Sequence, residues 1–105
     1  MSNALFICGK ARMRSPTAAD LVAGWGGKAD FAGLSHDADE KVSSEHIEWA
    51  DVIYVMEARQ KKRLGALFGP LLKDKRVVSL GVSDRFAYMQ PELVDLLSQK
   101  LAHLR

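Results

Sequence analysis

Cys8 is the only cysteine in the 105 residues. No internal disulfide can staple the fold, and a reducing cytoplasm is the expected compartment. No run of about 18 apolar residues occurs, so no transmembrane helix is expected. Charge of one sign is scarce: 15 Lys and Arg against 13 Asp and Glu leave a formal net charge of +2. That excess is too small to argue for nucleic acid or a membrane surface as a partner. The start Met1-Ser2-Asn3-Ala4 carries no basic leader, which argues against a secretory signal. Repeats, linkers and low-complexity segments are missing, and the length suits one hydrophobic core, hence one domain over 1–105. His46 and His103 have no cysteine or carboxylate at metal-ligand spacing. Neither a metal nor a cofactor is expected.

What is present is a regular alternation. Apolar residues make up 48% and charged residues 27%, ordinary for a globular protein. Ala4-Leu5-Phe6-Ile7-Cys8 is an apolar run without polar alternation and reads as a buried parallel strand. Ser15-Pro16 offers a helix N-cap followed by proline at the first helical position. Ala18, Leu21, Val22 and Trp25 then carry a helix over roughly 16–25, closed by Gly24, Gly26 and Gly27. A weak strand spans Ala29 to Leu34. Ser43 is the expected N-cap of a second helix, with Val42 and Ile47 placed as a hydrophobic staple. Asp51 to Met56 is a clear strand. A helix from about Ala58 to Phe68 follows, stopped by Gly69-Pro70. Arg76 to Leu80 is a fourth strand, and Gln90-Pro91 opens a last helix with Leu93, Val94, Leu97, Leu101 and Leu104 on its apolar face. Strands and helices alternating in this way predict an α/β fold with a parallel sheet covered on both faces. Ligands of such sheets sit beyond the C-terminal strand ends.

The loop after the first strand occupies that place. Alone, a cysteine on a buried strand is a small core hydrophobe. Here it ends the strand, and Arg14 stands six residues on at a helix start. The backbone N–H groups of Gly9, Lys10, Ala11, Arg12 and Met13 can turn inward as an anion nest. The helix N-terminus adds partial positive charge, and the Arg14 fork matches two phosphate oxygens. The same field stabilises a Cys8 thiolate. One loop would then hold a phosphoryl group and aim a nucleophile at it. The Ser15 hydroxyl is placed to hydrogen-bond that thiolate.

These residues resemble the low-molecular-weight protein tyrosine phosphatase family, whose motif is a cysteine, five residues, then arginine and serine, usually with proline next. Cys8, Arg14, Ser15 and Pro16 fit it in place. Ala32-Gly33 is similar to the family's Ser-Ala-Gly segment, Ala50 to Met56 to its third strand, and Asp84 with Phe86 to its late Asp-Pro-aromatic segment. Arg14 to Ala18 and Tyr88 to Leu93 resemble a compact bacterial subgroup of mostly predicted phosphatases. Lys10-Ala11 replaces the family's Gly-Asn pair, whose asparagine braces the loop. Met13 replaces a frequent second cysteine, and Arg85 replaces the proline after the late aspartate. The fold to expect is a three-layer α/β sandwich with a four-stranded parallel sheet in the order 2-1-3-4.

Ester cleavage needs a proton donor for the leaving oxygen. Asp37 and Asp39 follow the second strand, Glu57 the third and Asp84 the fourth. Glu57 reads as an acid in a helix first turn, and Asp39 as solvated. Spacing leaves Asp37 and Asp84 open as acids. The resemblance selects Asp84, which would also activate water in the second step. In that family aromatics of this segment wall the substrate slot, which makes Phe86 and Tyr88 the candidates here, with packing onto the core as the alternative for each. His36 is the candidate for the opposite wall, with an idle surface histidine as the alternative. Arg59, Lys61, Lys62 and Arg63 read as a solvated helix face, with a phosphoprotein docking patch as the alternative. The expected function is a cysteine-dependent phosphomonoesterase acting through a cysteinyl phosphate. Its partners would be a phosphorylated protein or small aryl phosphate, with a phosphate- or sulfate-type anion in the loop. A non-catalytic phosphate-binding module shares the same anion site. Arsenate reduction needs further thiols, which the lone Cys8 does not supply.

Overall fold

Four short apolar runs pair into one sheet whose strand order decides where the chemistry falls. The computed structural model describes residues 2–105; Met1, which belongs to the expected 1–105 domain range, lies outside them. The strands are β1 (Asn3–Cys8), β2 (Lys28–Gly33), β3 (Val52–Val55) and β4 (Arg76–Ser79). All neighbours are parallel, in the order β2-β1-β3-β4. This is the predicted order. Consecutive connections leave β1 in opposite directions, which makes its C-terminal end the topological switch point of the sheet.

Residues of β1 alternate between two cores, as a strand covered on both faces requires. Ala4, Phe6 and Cys8 join Val22 of α1 (Arg14–Gly24) and Leu93, Leu97 and Leu101 at α4 (Pro91–Lys100). Leu5 and Ile7 join Ile47 of α2 (Ser44–Trp49) and Leu64 of α3 (Ala58–Phe68). The result is three layers, with α1 and α4 on one face and α2 and α3 on the other. Phe6 is fully buried and stacks on Tyr54 with ring centroids 5.2 Å apart. Burying one such side chain contributes roughly 1.5–3 kcal/mol.

Several boundaries behave as local chemistry predicts. Ser43 caps α2, and His46 Nδ1 accepts from the Ser43 N–H at 3.0 Å in return. Val42 and Ile47 share one buried cluster, completing the staple. Gly26 takes φ +90° just after α1, a conformation suited to glycine. Two boundaries differ from expectation. Helix α1 begins at Arg14, not Pro16, and its N-cap is Met13. Ser15 therefore lies inside the first turn, because its hydroxyl is engaged elsewhere. The last helix ends at Lys100, and Leu104 belongs to a separate 3-10 turn, Ala102–Leu104. No helix among the described residues is long and apolar enough to cross a membrane.

Candidate active site

Cys8 ends β1 almost fully buried, with its Sγ 3.0 Å from the Ser15 Oγ. That contact explains the earlier helix start. A serine one residue before a helix would cap it; this one turns its hydroxyl to the thiol instead. Met13 supplies no side-chain cap, so the first-turn N–H groups of Arg14 and Ser15 remain available to an anion. Between them and Cys8 the chain makes a tight arc in which Ala11 adopts φ +60°, a left-handed conformation that costs a non-glycine residue roughly 1–2 kcal/mol.

The arc is held from outside by the segment following β2. Leu34 N–H donates to the Cys8 carbonyl at 3.0 Å, Ser35 N–H to Gly9 O at 2.8 Å, and Asp39 N–H to Lys10 O at 3.0 Å. Arg12 Nε donates to Asp39 Oδ1 at 2.9 Å, and Lys10 Nζ lies 3.5 Å from Asp37. The approach is close enough that a Cβ on Gly33 would meet Gly9 O at 2.6 Å and the Ala38 Cβ at 2.7 Å. These contacts brace the loop from the β2 side, with Lys10 itself among the residues held. Asp39, read from sequence as solvated, is part of this brace.

Arg14 is 3% exposed. Its Nη1 donates to Glu57 Oε1 at 2.6 Å and to the Val82 carbonyl at 2.7 Å. Its Nη2 lies 3.6 Å from Asp84 Oδ1. A buried guanidinium with a counter-charge on one edge has its orientation set before any ligand arrives. The hydrogen bond from Arg14 holds the Glu57 carboxyl below its usual range, against the opposing effect of burial. Glu57 is thus more than an acid in a helix first turn: it positions Arg14. Nothing in its local sequence marks this role; the strand order does, because β3 lies beside β1.

A cavity of about 420 Å³ opens over this cluster. Cys8, Gly9, Lys10, Arg12, Met13 and Arg14 line it, with Ser35 and Asp84 on the rim facing them. Ala11, expected among the anion-binding residues, is buried and is not on the lining. Of the two candidate acids, Asp84 reaches the cavity and Asp37 does not. Asp37 is tied to Ser35 Oγ and Lys10, and the Ser35 hydrogen bond holds its carboxyl below the usual range. The three expected wall residues are not brought to this cavity. Phe86 packs on the α1/α4 core under the Arg85 guanidinium, 5.2 Å from its ring. The Tyr88 hydroxyl donates to Asp20 on α1. His36 lines a neighbouring groove. No group of three His, Cys, Asp or Glu placed to hold a metal ion occurs among the described residues.

No family model matches the chain, and no curated protein matches it. Solved structures match it over nearly its whole length. The arginine phosphatase YwlE from Geobacillus stearothermophilus is 22% identical, with 98% of this chain and 92% of that one covered and a TM-score of 0.72. Wzb from Vibrio vulnificus, solved with benzylphosphonate, is 15% identical, covering 98% of this chain and 97% of that one at a TM-score of 0.79. The tyrosine phosphatase Wzb from Escherichia coli K30, solved with phosphate, is 21% identical, covering 98% and 96% at a TM-score of 0.66. The chain shares the fold of these proteins, which is the fold its resemblance to the low-molecular-weight phosphatases implies.

Proposed function

We propose that this chain is a single-domain, cytoplasmic, cysteine-dependent phosphomonoesterase that acts on aryl phosphates such as phosphotyrosine, carried by a protein or a small molecule. The observation that carries the reading is one cavity in which Cys8, hydrogen-bonded to Ser15 at 3.0 Å, faces a buried, pre-oriented Arg14. Proteins of the same fold solved with phosphate and benzylphosphonate support the choice of ligand.

The phosphoryl group rests on the N–H groups of the Cys8–Arg14 arc and on the Arg14 fork. The Cys8 thiolate attacks phosphorus. The bond to the leaving oxygen breaks as Asp84, in its acid form, gives that oxygen a proton. The Asp84 carboxylate then takes a proton from a water whose oxygen attacks the cysteinyl phosphate. The S–P bond breaks, releasing inorganic phosphate and the thiolate, which the Ser15 hydroxyl stabilises as a leaving group. A module that only binds phosphate has no use for an acid on the cavity rim. The position of Asp84 therefore favours turnover.

The test is p-nitrophenyl phosphate hydrolysis across pH 5 to 8. Wild-type turnover should vanish in Cys8→Ser while phosphate binding survives. Asp84→Asn should slow turnover by roughly a hundredfold, and Asp37→Asn should leave it nearly unchanged. Hydrolysis that persists in Cys8→Ser would sink the covalent mechanism. An unaffected Asp84→Asn would reassign the acid.

A further inference from the structure

Beside the catalytic cavity lies a second groove of about 370 Å³, and the two share Gly9 and Ser35 as a common rim. Its other walls are Leu34, His36 and the α3 residues Arg59, Gln60 and Arg63. Arg59 and Arg63 stand one turn apart and so share a helix face. Lys61 and Lys62, between them in sequence, are not on the lining. The basic stretch of α3 is thus divided: two arginines face the groove and two lysines lie off it.

The charges in the groove are unequally committed. Arg59 Nε lies 3.2 Å from Glu57 Oε2, and the other oxygen of that carboxylate holds Arg14. Arg59 is therefore partly neutralised. Among the described residues, no carboxylate lies on the groove lining to do the same for Arg63. Gln60 fixes the start of the helix, its Oε1 accepting from the Met56 and Glu57 N–H groups at 2.9 and 3.0 Å. The arginine-bearing face is thereby locked against the end of β3.

We propose that this groove is a second anion subsite, which takes the carboxylate of an acidic residue flanking the phosphorylated residue of a peptide substrate. The proposal rests on the phosphatase reading and adds the substrate class: acidic phosphopeptides. An extended chain can reach both cavity and groove, because a peptide advances about 3.3–3.6 Å per residue and so brings near neighbours of the phosphorylated side chain over the shared rim. An arginine fork is the donor that best matches a carboxylate there.

The experiment measures binding to the Cys8→Ser protein, using two phosphotyrosine peptides that carry either Glu or Gln on both sides of the phosphorylated residue. The Glu peptide should bind about threefold more tightly in dilute buffer, the scale of an exposed ion pair. The preference should shrink with added salt. Adding Arg63→Ala should abolish it. Adding Lys100→Ala, an equal charge change on α4, should leave it intact. Equal binding of the two peptides overturns the subsite. So does a preference that survives Arg63→Ala or disappears equally with Lys100→Ala, and so does failure of either peptide to bind. Hydrolysis of p-nitrophenyl phosphate is measured in parallel on the wild-type protein, with Cys8 intact. Its absence there would fail the phosphatase reading, while the peptide pair still decides the groove.

Discussion

The two sides of the cavity are built to different standards. On one side, the Cys8–Arg14 arc is clamped by three backbone hydrogen bonds from residues 34–39 and backed by a buried arginine with a fixed counter-charge. On the other, Asp84 is 67% exposed and its nearest charged partner, Arg14 Nη2, is 3.6 Å away. The difference follows the chemistry proposed for each side. Holding a phosphoryl group in line with a sulfur demands geometry set in advance. Proton transfer demands only that a carboxyl reach the leaving oxygen at the right moment, and a water must later pass the same point.

That contrast can be broken from the rigid side first. Arg14→Lys keeps the charge but removes the fork and its bond to Glu57. It should lower kcat/KM by on the order of 10²–10³, and a loss below tenfold in steady-state assays would mean that the fork is dispensable. Gly33→Ala pushes a methyl into Gly9 O and the Ala38 Cβ. It should cost about 2 kcal/mol in urea unfolding and lower activity with it. Ser83→Ala, an equally small change on the exposed side, should stay within about 0.5 kcal/mol. Equal costs at the two sites would erase the distinction.

Glu57→Gln is the smallest of these changes and the sharpest. It keeps an acceptor for Arg14 but removes the charge, and should lower kcat/KM by about tenfold. It also predicts a pH dependence. The Arg14 hydrogen bond depresses the folded-state Glu57 value below its ordinary 4.5. Below that ordinary value the unfolded chain takes up a proton that the native state refuses, so the stabilisation from this carboxylate is present above it and lost as pH falls through the folded value. The stability gap between wild type and Glu57→Gln should be widest near pH 7 and close toward pH 3. A constant gap in urea midpoints would deny the ion pair its role.

Much of this architecture was legible because it is local. The apolar runs at 4–8 and 52–55 and the alternation of strand and helix imply a covered parallel sheet, and the anion loop is a contiguous stretch between a strand and a helix. What escaped depends on partners distant in sequence. Glu57 reaches Arg14 across 43 positions and Arg12 reaches Asp39 across 27; both contacts exist because β2 and β3 flank β1. Ser15 misled for another reason: helix capping and a thiol contact compete for one hydroxyl, and the residue type suits either. Phe86 and Tyr88 follow the family pattern in sequence, yet core packing and a bond to Asp20 take them from the cavity lining.

The segment bearing Asp84 is pinned at its two ends. Val82 N–H donates to Met56 O at 2.7 Å, and Met89 N–H donates to Thr17 Oγ1 at 2.9 Å. Asp84 sits between these anchors, two residues before Phe86, which packs on the α1/α4 core. Its reach is governed by contour length. One inserted residue would add up to about 3.3 Å of chain, enough to carry a carboxyl into or out of hydrogen-bond range, with both anchors untouched. Segment length is thus a dial by which divergence could retune proton delivery while leaving the anion cradle alone.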